Sequence, residues 1–292
     1  MDAPGLVWFC RVVWLTLPVT LGDALGAALS GRDRAATWVV VGALWALWAV
    51  GLVALAVPHP AGLTALRVLA PVPLVAGAVA AAAVTPGPLG WTGLVAAALI
   101  AVAPFSSAVG EWAINGTSYG DERWMPLRAP APLLLGPIEL AWAIAVAPFV
   151  VAACAALGSN LPVAGAALVV GLLGAWFAVR SLHRLTRRAL VFVPAGMTLV
   201  DDLAVAEPIL FPRRAVVRFG PAPADTSALD LTAGATGLVL QIDLDDPVSL
   251  VPAVRRGAVA EAVDTSAALI ATSRPGAVLR LAEERQVRVS RV

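Results

Sequence analysis

The chain has 292 residues, of which 60% are hydrophobic and 13% charged, with a mean hydropathy of +0.86. So little polar surface cannot coat a water-soluble particle of this length, which excludes a soluble globular protein and requires a bilayer as solvent. A net charge of +1 removes the electrostatic basis for a general nucleic-acid role.

Six apolar stretches approach or exceed the length that crosses a hydrocarbon layer of about 30 Å at about 1.5 Å per residue. They run over 6–30, 36–57, 62–85, 90–109, 131–157 and 162–181. The first is interrupted by Arg11, Pro18 and Asp23; it lacks a basic leader, and Asp23 stands where a cleavage motif would be forming, so it reads as a retained first helix. The second, Ala36–Val57, contains no charged residue. Pro71 and Pro73 fall in the third stretch, Pro104 in the fourth, and Pro137 and Pro148 in the fifth. Each removes a backbone donor and kinks or breaks its helix, for packing or for a gate. The small-residue runs Val75–Val84 and Val163–Gly174 permit close helix approach, within one bundle or between two copies. All ten Trp residues lie between Trp8 and Trp176, as expected of anchors at the headgroup level.

Three charges inside apolar stretches stand out: Asp23, Arg67 and Glu139. A charge at the bilayer centre costs roughly 2.5–3.5 kcal/mol on insertion scales, so such groups normally face the bundle and pair. Arg67 is expected to pair with Asp23 or Glu139; the trio then reads as a structural ion pair or near-interface charges, as a proton or ion pathway, or as part of a ligand pocket. Arg11 and Arg180 lie near enough to span ends to snorkel.

Between the fourth and fifth spans, Glu111–Arg128 reads EWAINGTSYGDERWMPLR and holds the only Tyr and one of two Asn residues. A passive connection needs only a few residues. Asn115, Tyr119, Asp121, Glu122, Arg123, Trp124 and Arg128 therefore form a candidate interaction loop, with Trp112 and Trp124 in the interface and the charges meeting a partner or the protein's own soluble domain. The bland alternative is a solvated loop with aromatic anchors.

After the sixth span, Arg180–Arg188 carries four Arg and no acid. Basic short segments stay in the cytoplasm, so both termini and the 110–130 loop are expected on the cytoplasmic face of a bacterial plasma membrane. Residues 190–292 hold ten Arg and twelve acids, against ten and seven in residues 1–189, so charge density more than doubles. This places a boundary near residue 185: a six-helix transmembrane bundle over 1–185 and a soluble, mainly β domain over 186–292.

Within the second domain, ALVFV (189–193), GMTLV (196–200), AVVRF (215–219) and GLVLQIDL (237–244) read as strands, with Pro194-Ala195-Gly196 turning the first into the second. A closing helix is expected from Pro275 to Arg285, capped by Ser273. Strands followed by one closing helix, with the phrase Leu244-Asp-Asp-Pro-Val248, resemble the bacterial pleckstrin-homology-like domains attached to membrane helices. The resemblance implies a partly open barrel over about 189–289. Asn115-Gly-Thr-Ser-Tyr-Gly-Asp-Glu-Arg123, Pro126-Leu-Arg-Ala-Pro130 and LLLGPIELAW are similar to segments of uncharacterised multi-pass membrane proteins of actinobacteria, which implies a membrane location and no particular reaction. The absence of Lys fits a high-GC genome.

Catalytic signatures are sparse. Ser106-Ser107 has no nearby His, and GxSxG, HExxH and phosphate-loop patterns are absent. Cys10, Cys154, His59 and His183 stand apart from other ligating residues, and Asp243, Asp245 and Asp246 lack EF-hand spacing, so no metal site or cofactor is expected. The sequence thus points to a non-enzymatic membrane protein presenting a cytoplasmic interaction or regulatory domain to a protein partner or a second copy. The alternatives are a small transporter using Asp23, Arg67 and Glu139, and a membrane enzyme acting on lipid.

Overall fold

The computed structural model describes residues 3–253 and 261–290, which form two compact units. The first comprises the chain up to Gly116 plus Ile138–His183; the second comprises Thr117–Pro137 plus the chain from Arg184 onward. The boundary expected near residue 185 is corrected in one respect, because the connection between the fourth and fifth spans belongs to the second unit. The physical reason is strand pairing, residues 123–126 lying antiparallel to residues 189–192.

Among the described residues, six helical segments are long and apolar enough to cross a membrane: Pro4–Leu29, Arg34–Ala56, Pro60–Ala83, Pro88–Phe105, Pro137–Leu157 and Leu161–Thr186. They are built from α1 (Ala3–Leu29), α2 (Arg34–Ala56), α3 (Pro60–Leu69), α4 (Val72–Ala83), α5 (Pro88–Val102), α8 (Pro137–Leu157) and α9 (Leu161–Thr186), with α6 (Ser107–Asn115) and the one-turn α7 (Ala131–Leu134) between the fourth and fifth spans. The fifth span starts at Pro137 rather than near 131, because Gly136 (φ 128°) breaks the helical path after α7.

The segment with the most interruptions, α1, is the centre of the first unit. Its buried residues Val7, Cys10, Trp14, Leu17, Leu21 and Ala24 alternate steps of three and four, the period that keeps one helix face inward. Against it lie Leu55 of α2, Leu66 of α3, and Ala97 and Ile100 of α5. Arg11 does not simply reach for water. Its Nε donates to the Leu55 carbonyl at 2.9 Å and its guanidinium stacks over Trp8 at 4.8 Å, placing a cation at the C-terminal end of α2 where orphan carbonyls attract it.

The prolines act through the carbonyls they release. Pro18 has no N–H for the Trp14 carbonyl four residues back, and the Trp48 indole fills that vacancy at 2.9 Å while the Trp14 indole donates to the Trp48 carbonyl at 2.9 Å. Pro71 and Pro73 divide the third span into α3 and α4, and beside that break the Trp142 indole of α8 donates to the Val68 carbonyl at 3.0 Å. At these prolines the neighbouring carbonyls are taken up by indole donors from adjacent helices. The α8–α9 pair joins the bundle through Val68, Ala145, Val146 and Ala178, and through Thr64 and His183, whose Oγ1 and Nδ1 lie 2.9 Å apart.

Among the described residues, the second unit contains two four-stranded sheets. Strands β1 (Arg123–Pro126), β2 (Ala189–Val193), β3 (Gly196–Val200) and β4 (Ile209–Pro212) form an antiparallel sheet in that order. The other has the order β5-β7-β8-β6, from β5 (Val216–Pro221), β6 (Leu229–Asp230), β7 (Leu240–Leu250) and β8 (Val263–Ile270), with β6 parallel to β8. A single apolar cluster joins both sheets to the closing helix α10 (Pro275–Glu284), drawing on Met125, Phe192, Phe211, Phe219, Ile242 and Val278.

Pro194-Ala195 makes the expected turn, with Val193 opposite Gly196. Strand β7 runs on to Leu250 instead of stopping at 244. It accommodates Pro247 because its register against β8 shifts between Asp243 and Val248, the kind of irregularity where a missing ladder donor is tolerated. Ser273 does not cap α10. Arg274 occupies the cap position without a side-chain bond, and the Ser273 hydroxyl donates to the Leu127 carbonyl at 3.1 Å.

Candidate functional site

The segment 111–128 is divided between the two units. Glu111 and Asn115 belong to α6, where the Asn115 side chain donates to the Glu111 carbonyl at 2.8 Å. Beyond Gly116 the chain enters the second unit and makes a tight turn in which Glu122 N–H donates to the Tyr119 carbonyl at 3.1 Å, with Gly120 at φ 56° supplying the left-handed step. Tyr119 stands 86% exposed on this turn. The Glu122 carboxylate braces it, accepting from the Tyr119 N–H and the Trp124 indole at 3.4 Å each. Arg285, at the end of α10, donates to the Asp121 carbonyl and pins the turn from outside.

From Arg123, whose side chain is exposed, the chain continues as a strand. Arg123, Trp124, Met125 and Pro126 pair with Phe192, Val191, Leu190 and Ala189, and Met125 is buried in the core of the unit. Arg128, placed by sequence among loop contacts, points inward: its Nε donates to the Thr272 carbonyl at 3.3 Å and its Nη1 to the Thr236 carbonyl at 3.0 Å. Its own carbonyl accepts from Arg188 at 2.8 Å, and Arg188 in turn forms a two-pronged pair with buried Asp201 at 2.6 and 2.7 Å. Of the expected loop set, Tyr119, Asp121, Glu122 and Arg123 therefore frame an exposed turn, whereas Trp124 and Arg128 fasten it to the fold.

The three intramembrane charges do not form one cluster. On α1 and α5, Thr20 and Leu21 abut Gly93 while Ala24 abuts Gly90, so the two helices run antiparallel. Asp23 therefore lies near the level of Gly90, exposed and close to the end of α1. Arg67 Nε donates to the Pro104 carbonyl at 3.3 Å, and fourteen residues of helix, roughly 21 Å, separate Pro104 from Gly90. The expected Arg67–Asp23 pair is thus corrected: the two occupy opposite ends of the bundle. Glu139 is exposed in the first turn of α8, one turn from the Trp142 that bonds Val68, and so shares Arg67's end.

Among the described residues, no group of three or more His, Cys, Asp or Glu is placed to hold a metal ion. His59 caps α3 by accepting from the Ala61 N–H at 3.0 Å. Sequence reasoning missed Arg188 and Asp201 as a pair; the signal was a cation and an acid bracketing a predicted hairpin. No family model, curated protein or solved structure matches this chain.

Proposed function

We propose that the protein is a non-enzymatic integral membrane protein whose six spans hold a water-soluble β unit at the cytoplasmic face of a bacterial plasma membrane, where the Tyr119–Arg123 turn engages a protein partner or a second copy. The observation that carries this reading is β1. By donating a strand from the connection between the fourth and fifth spans, the chain passes between its two units at 116/117, 137/138 and 183/184, a tether suited to holding a module at the membrane and not to releasing it. The two sheets with a closing C-terminal helix support a pleckstrin-homology-like reading of that module. The four Arg of 180–188, with Arg123 and Arg128, support the cytoplasmic assignment. The separation of Asp23 from Arg67 leaves the transporter reading without a continuous charged path.

Tyr119 is the side chain to test, because exposed aromatic residues supply contact area at low entropic cost and contribute little to the unbound fold. With a photoreactive residue at position 119 in native membranes, the expected product is a discrete protein adduct of defined mass, weakened several-fold by Glu122→Ala. A control at lipid-facing Val170 should give lipid adducts only. If position 119 also yields only lipid adducts or none, the interaction reading fails.

A further inference from the structure

Between α1, α2 and the α3–α4 break lies an apolar crevice of about 200 Å³, walled by Leu17, Gly22, Leu29, Val41, Trp45 and Ala76 among others. It follows α1 from Trp14 to Leu29, roughly 22 Å, more than the ~15 Å depth of one leaflet's hydrocarbon. Its walls are almost wholly apolar: the Trp14 and Trp48 indoles donate to each other's carbonyls, and the Trp45 indole is the other side-chain donor on the lining. The shape and chemistry suit a hydrocarbon chain lying along the membrane normal, and none of Asp23, Arg67 or Glu139 lines it.

The Leu29 end supplies the second observation. The chain there turns through Ser30 and Gly31 to Arg32-Asp33-Arg34, all exposed. The Asp33 carboxylate accepts from the Ala36 N–H at 2.8 Å as the cap of α2, and among the described residues no acid forms an ion pair with either arginine side chain. Two cations thus stand in the connection just beyond the Leu29 end of the crevice, with Asp33 between them engaged as the cap of α2. We propose that the crevice is a lipid-binding site, taking one acyl chain of an anionic glycerophospholipid whose phosphate meets Arg32 and Arg34. The site is separate from the Tyr119 turn and does not depend on the role assigned to it.

Gly22 allows a direct test, since a side chain added there meets no atom within 4 Å and would project into the slot. The purified full-length protein is titrated with phosphatidylglycerol and with phosphatidylcholine of identical chains, and bound lipid is read by native mass spectrometry. The wild-type protein should bind phosphatidylglycerol about tenfold more tightly. Gly22→Leu should lower that occupancy about tenfold with an unchanged unfolding midpoint; Ala76→Leu, from the facing wall, serves if Gly22→Leu is poorly folded. Arg32→Gln with Arg34→Gln should erase the headgroup preference and leave binding of both lipids at the phosphatidylcholine level. Equal binding of the two lipids by the wild-type protein overturns the proposal, as does unchanged occupancy in a folded crevice-filling variant. Displacement of phosphatidylglycerol by an equal concentration of an isoprenyl phosphate overturns it in favour of a different occupant.

Discussion

The Arg188 guanidinium meets both oxygens of Asp201 and the Arg128 carbonyl, with the two side chains 3% and 0% exposed. Asp201 also accepts from the Leu203 N–H at 3.0 Å, so one carboxylate orders the chain leaving β3 while its partner fixes the chain leaving β1. A buried pair of this kind is weak evidence for net stability but strong evidence for a penalty when broken, because the survivor is a charge without water. Asp201→Ala is expected to destabilise the β unit by about 3–5 kcal/mol. Replacing both residues with Leu should restore much of that loss, read by hydrogen exchange of the β2–β3 amides. A double variant as unstable as the single one would show that the pair's specific geometry, and not the stranded charge, is what matters. The exposed Arg184–Asp202 contact at 3.5 Å carries no comparable expectation, since both side chains are 61% in water. In the bundle the same logic of unsatisfied groups joins Pro18, Trp14 and Trp48, and Gly51 is obligatory there because any Cβ would enter the Trp14 ring.

At the scale of elements, β1 shows why part of the fold was legible in the sequence and part was not. Hydropathy exposes a span because about twenty residues share one environment, and β2, β3 and the closing helix announce themselves through alternation, turn residues and Pro275. Arg123-Trp-Met-Pro126 has four residues, one of them proline and only one buried, so local pattern carries no strand signal; its strandedness comes from Leu190 and its neighbours, more than sixty residues away. The first span erred in the opposite direction. Arg11, Pro18 and Asp23 lower its average apolarity, yet Arg11 and Pro18 are the residues through which α1 is bonded to α2. The Tyr119 turn was visible as a dense cluster, but its division between exposed and structural residues depended on partners such as Thr236, Thr272 and Arg285, which no window can reach. A soluble fragment beginning at Arg184 therefore lacks an edge strand and leaves the buried Ala189–Phe192 run unpaired on one side, a ready template for aggregation. It should be poorly dispersed in amide NMR spectra and self-associate, whereas the same fragment with 117–137 fused through a flexible linker should be monodisperse. Equal behaviour of the two fragments would remove β1 from the architecture.

For the whole molecule, the β1–β2 ladder imposes a parity rule on the membrane topology. Residues 123–126 and 189–193 can pair only in one aqueous compartment, so an even number of crossings must separate them, and Pro137–Leu157 with Leu161–Thr186 supplies two. The parity is independent of charge bias, which only decides which compartment it is. In a background lacking Cys10 and Cys154, single cysteines at Tyr119 and Asp202 should react with a membrane-impermeant maleimide from the same side, and cysteines at Arg32 and Ser159 from the other; all four positions are exposed. With the basic 180–188 segment inside, intact cells should label 32 and 159, and inverted vesicles 119 and 202. The two parts of the expectation fail separately. Labelling of 119 and 202 together from outside would reverse the orientation and leave the fold intact, whereas labelling from opposite sides would mean that the connection between the fourth and fifth spans cannot complete the sheet, and the tether on which the proposed function rests would be gone.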